Sequence, residues 1–202
     1  MSDNNLILSD AEAEAAKELL KTAQGFGGFV RDILGTVPED LIGLLGGDWL
    51  KVRRFENILR TIKKAHDRLE KDGIKPEAAS LSVSLPILRA AADESREELQ
   101  DLWADLLAAS ADPARSRSFR NEFIEIIKKM DPLDAVVLKS AYATGGRVEV
   151  RQRKPIAEQM GATPDAVAVS FSNLCKLGLF ADAIEHVNPT SLGREFMRAV
   201  KP

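Results

Sequence analysis

Few residues of this chain have the types and spacings that catalysis requires. Two histidines, His66 and His186, and one cysteine, Cys175, are its whole supply of imidazole and thiol. His66 falls on an apolar helical repeat, the usual setting of a core or boundary histidine. His186 has no histidine or cysteine companion, so zinc-binding spacing is absent. Cys175 sits beside Leu174 and Leu177 with no histidine near it, and reads as a small, at least half-buried side chain. The densest carboxylates are Glu94, Glu97, Glu98, Asp101 and Asp105. A di-iron bundle needs Glu-x-x-His, and neither histidine belongs to such a motif. These acids read instead as the solvated or partner-facing side of a helix. No phosphate loop and no G-x-S-x-G occurs. The expectation is a non-enzymatic protein with no catalytic, cofactor-binding or metal-binding residues and no evident small-molecule substrate.

The elements that carry these residues are helices. From Asp93 onward, Leu99, Leu102, Trp103, Leu106 and Leu107 recur on one helical face. Phe119, Phe123, Ile126, Ile127 and Met130 repeat the pattern on the next helix. Asp131-Pro132 then stops that helix and starts another, with Asp134 at its third position. Trp49 to about Lys71 reads as the longest helix. Its seam of Val52, Phe55, Leu59, Ile62, His66 and Leu69 has heptad spacing but is too short for a coiled coil. Lys51, Arg53, Arg54, Arg60, Lys63, Lys64 and Arg68 surround that seam. They either face the acidic side of helix 93–108 across the core or meet solvent or a partner. Residues 74–85 read as a connector and Pro86 as the start of a short helix. Asp10–Gln24 and Val37–Leu45 complete the helical reading, with a glycine-rich amphipathic segment at 25–47.

Composition sets the outer bounds. The chain has 202 residues, 45% hydrophobic, and a net charge of -3, so there is no global attraction to nucleic acid. No run approaches the ~18 uninterrupted apolar residues of a membrane span. The lone cysteine and the lack of a secretory signal at the start lead us to expect a cytoplasmic protein, in one variant peripheral at the inner face of the membrane.

After Gly145-Gly146 the pattern changes. A short strand at 147–150 precedes helices at Pro155–Met160 and Pro164–Lys176, strands near 179–181 and 185–187, and a last helix capped by Thr190 or Ser191. LCKLGLF and TSLGREFMRAV resemble the corresponding parts of winged-helix domains. The expected fold is therefore mainly α: a multi-helix bundle over 1–143, then a winged-helix-like module with a small β-hairpin over 144–202.

Two surfaces are candidates for partners. Phe26, Phe29, Ile33, Leu41 and Leu44, next to the basic helix, could contact a membrane surface or a protein. Arg147, Arg151, Arg153 and Lys154, with Thr163, Ser170 and Asn173, form the nucleic-acid alternative. In it Asp165, Ala166, Val169, Ser170 and Asn173 face outward, a row without arginine and therefore poor for a DNA groove. A protein partner is expected ahead of nucleic acid, and self-association through Val52, Phe55, Leu59 and Ile62 is a further expectation.

The words GGDWL (46–50), DLWADLLA (101–108) and MDPLDA (130–135) resemble the Abi-alpha family, a prokaryotic group linked to abortive phage infection. The resemblance covers about residues 25–142. Its motif positions explain themselves as caps (Asp48, Asp131) and core aromatics (Trp49, Trp103). The resemblance implies a role in phage defence and carries no catalytic residue onto this chain. The alternative is a winged-helix transcriptional regulator.

Overall fold

A computed structural model describes residues 50–143, 148–149, 153–182 and 186–200. Helix α1, Leu50–Lys71, ends at Gly73, whose φ of 65° suits a residue without a side chain. Its buried stripe is Ile58, Leu59, Ile62, Ala65 and Leu69. Ala65, not His66, fills the seam, because the stripe is wider than a two-residue heptad contact. Leu59 and Ile62 are spent inside the fold, so they offer no surface for the expected self-association; the side chain of Val52 lies outside the described residues.

Helix α2, Leu81–Ala92, opens at Leu81 rather than at Pro86, which lies inside it. Proline has no N–H to give the Ser82 carbonyl, but Ser82 is exposed, so water can satisfy that oxygen. Helix α3, Glu97–Ala111, is the centre of the molecule. From Leu99 to Ala111 every residue except Asp101 is buried, as expected of a helix packed on several sides. It packs against α1 and α2 and, on its other sides, the later helices. Asp112-Pro113 ends it, and the Asp112 carboxylate accepts from Ala114 N at 2.8 Å and Arg115 Nε at 2.6 Å.

A tight turn at Ser116–Ser118 leads to α4, Glu122–Lys128. This helix is shorter than the apolar repeat suggests. Phe119 precedes it and meets the Phe123 ring edge-on at 6.0 Å. Helix α5, Pro132–Ala143, starts where proline predicts. Its first turn is closed by Asp134, whose carboxylate accepts from Asp131 N at 2.9 Å, the reciprocal half of a capping box.

Strand β1 is Val148–Glu149, α6 Arg153–Met160, α7 Pro164–Lys176, β2 Phe180–Asp182, β3 His186–Pro189 and α8 Ser191–Ala199. The strands form an antiparallel sheet in the order β1-β3-β2, with Val148 opposite Val187 and Ala181 opposite Asn188. Thr163 caps α7 through Ala166 N at 3.2 Å, and Thr190 caps α8 through Gly193 N at 2.9 Å. The fold is mainly α. One apolar core joins both parts of the chain, with Leu102, Leu106 and Leu138 in the same cluster as Phe171, Leu174 and Phe196. Phe123 and Phe196 meet at 5.5 Å across it.

Candidate functional site

The densest arrangement of polar side chains lies between α1 and α3. Arg54 reaches Asp93 at 2.6 Å, and Lys64 pairs with Glu97 and, at 2.9 Å, with Asp101. Arg68 bonds Asp101 at 3.1 Å and also contacts Asp105. Lys139 of α5 stands 3.6 Å from the other Asp101 oxygen. The opposite charges noted in the sequence therefore face each other. The outer pairs contribute about 0–1 kcal/mol each, because water screens them.

Uncharged groups continue the seam. Gln100 is fully buried and donates to the Glu94 carbonyl at 2.6 Å and to Asn57 Oδ1 at 3.1 Å, while accepting from Arg60 at 3.3 Å. Asn57 in turn donates to the Ala92 carbonyl at 2.9 Å. Sequence reasoning missed Asn57 and Gln100. The sequence carried no local signal for Asn57, which has Arg53, Arg54, Arg60 and Thr61 a turn away on its own helix; its partners come from residues 92 and 100.

Two acids expected on a solvated side are buried instead. Glu94 is held by Arg96, which donates from its backbone N and its guanidinium, each at 2.9 Å. Burial opposes its charge, but the Arg96 hydrogen bonds outweigh it and hold the carboxyl below its ordinary range. Asp105 has no exposed side-chain surface. Burial pushes its carboxyl up to about 7, against the pull of Arg68 and Lys139. Partial burial also works against Asp101, but the Lys64 hydrogen bond and the charges of Lys139, Lys64 and Arg68 hold it low.

Of the nucleic-acid set, Ser170 and Asn173 do not face outward as expected. Arg147 and Arg151 lie outside the described residues, as does the Arg153 side chain at the start of α6. Lys154 is exposed, and Thr163 is exposed with its hydroxyl engaged in the α7 cap. Ser170 is buried. Asn173 is half-buried and donates to Asp134 at 2.7 Å and to the Lys129 carbonyl at 3.2 Å. Both face the bundle because the inner stripe of α7 runs through Val167, Ser170, Phe171 and Leu174. The outward row is Asp165, Val169, Ser172 and Lys176, with Val169 69% exposed. The candidate membrane or partner residues Phe26, Phe29, Ile33, Leu41 and Leu44 lie outside the described residues.

Three ligand atoms of His66, Asp67 and Glu70 lie within 4.8 Å of one another on α1. All three belong to one helix, and the imidazole Nδ1 faces the carboxylates at 3.6 and 3.9 Å, which is ion-pair geometry for a protonated ring. An open groove of about 640 Å³ runs along α5 and α6, lined by Leu133, Val136, Ala143 and Met160 with Glu98 and Lys139. A smaller cleft of about 240 Å³ lies between Arg115–Phe119 and α8. No helix among the described residues is long and apolar enough to cross a membrane.

These features define a class: a mainly α-helical protein with a buried central helix, a charged seam on one side of it and a helix–turn–helix with a small sheet at its end. The family model for abortive infection alpha, Abi-alpha, matches residues 53–189, and the chain belongs to that family. The matched region takes in the helix–turn–helix as well as the bundle. No curated protein and no solved structure matches the chain.

Proposed function

We propose that this protein is a non-enzymatic phage-defence protein that acts by abortive infection through contacts with a protein or a membrane. The observation that carries the reading is membership of the abortive infection alpha family across residues 53–189. The element order of residues 148–199, with β1 pairing with β3, supports a winged-helix-like module as its C-terminal part. The outward row of α7 favours a protein contact over DNA, since it offers an acid, an exposed valine, a serine and one lysine but no arginine. The test is a phage challenge of a susceptible host that expresses this protein alone. Protection at low multiplicity with collapse of the culture at high multiplicity is the expected result. Equal plaque counts and equal culture survival with and without the protein would overturn it as a self-sufficient effector.

A further inference from the structure

One pair in the α1–α3 seam is unlike the rest. Asp105 lies in the buried length of α3, and its side chain has no exposed surface. It touches Arg68 Nε of α1, yet neither of its oxygens accepts a well-formed hydrogen bond among the described residues. Nη1 of Arg68 is buried in the same condition. A buried charge without such bonds strains the joint that holds it. Four charged groups act on this carboxyl: Arg68 from α1, Asp101 from α3, Lys139 from α5 and Arg115 from the turn after α3. Three of them have other work. Arg115 holds Asp112, while Lys139 and Arg68 both serve Asp101.

We infer that the α1–α3 seam is a proton-responsive joint, closed when the buried Asp105 carboxyl carries a proton and loosened when it ionises. The proton is taken from water and returned to it, with no other reactant. In the closed joint the carboxyl is neutral, which removes the cost of a buried charge whose oxygens accept no well-formed hydrogen bond among the described residues. When α1 lifts, the carboxyl meets water and gives the proton up. Among the described residues α1 packs on α2 and α3, whereas α3 is also held by α4, α5 and α8, so the joint opens by release of α1. The proton on Asp105 thus governs how firmly α1 is held. Burial brings the carboxyl to about 7, so the transition falls near neutrality.

The test is amide hydrogen exchange on the full chain between pH 5 and 8, corrected for the intrinsic pH dependence of exchange. The opening constant of α1 should rise up to about tenfold per pH unit from 5 to 7, the limit for one proton, and then level off. Exchange in α3 and α5 should stay slow. Asp105→Asn should remove the slope, and His66→Gln, which removes the titratable ring of α1, should keep it. Arg68→Met takes away the nearest cation and should carry the rise to higher pH. An unchanged slope in Asp105→Asn would overturn the joint. So would a loss of protection shared equally by all helices, or matching profiles for the wild type and Arg68→Met should Asp105→Asn fail to fold.

Discussion

Single side chains in this protein divide into those that only fill space and those that join helices by hydrogen bonds. Gln100 is the clearest of the second kind, since its amide reaches α1 and the chain just before α3 at once. Gln100→Ala leaves the Glu94 carbonyl and Asn57 short of a partner and opens a small cavity. A loss of about 2–3 kcal/mol is expected in urea denaturation. Arg54→Ala removes an outer pair with partly exposed members and should cost under about 1 kcal/mol in the same measurement. Equal losses would mean that charge rather than the buried amide holds the seam. Asn173 belongs with Gln100: its type and position suit a base contact, but its bonds go to Asp134 and the Lys129 carbonyl.

Elements approach closely where α8 crosses the chain just before β2. A Cβ on Gly193 would stand 2.0 Å from the Leu179 carbonyl oxygen, so backbone rather than a flexible side chain would have to move. Gly193→Ala is expected to cost about 3 kcal/mol through overpacking. Gly161→Ala is the comparison: its φ is 63° with nothing within 4 Å of the added Cβ, so only about 1 kcal/mol of backbone strain is expected. Denaturation midpoints of the two variants should fall in that order. Thr190 supports the same crossing, capping α8 while its hydroxyl donates to the Gly178 carbonyl at 2.5 Å.

For the whole molecule, two opposing titrations shape stability. Asp101 and Glu94 are held low, so the stability they contribute is present above their ordinary values and is lost as pH falls through the folded ones. Asp105 is raised from 3.8 to about 7, so its contribution is greatest in acid and declines as pH rises between those values. Thermal stability should therefore peak at about pH 5, decline toward neutrality and drop on the acid side below about pH 4. Calorimetry from pH 3 to 8 reads this directly. A melting temperature that climbs from pH 5 to 7 would contradict the assignment of Asp105.

By itself the sequence determined the helical class, the family, the limits of α7, the start of α5 and the order of elements after residue 147. These follow from local rules: apolar repeats, Asp-Pro and glycine punctuation, and threonine caps act within a turn or two of chain. The limits of α2 and α4 were less legible, since Pro86 is tolerated inside a helix and Phe119 packs on the core from a turn. Only the tertiary structure decided which polar residues face inward. Asp105, Gln100, Ser170 and Asn173 look like surface positions within their own helices, and the burial of the first three and the half-burial of Asn173 depend on what a second or third helix brings against them. That is a long-range fact, set by how α1, α5 and α7 close around the core, and no local periodicity encodes it.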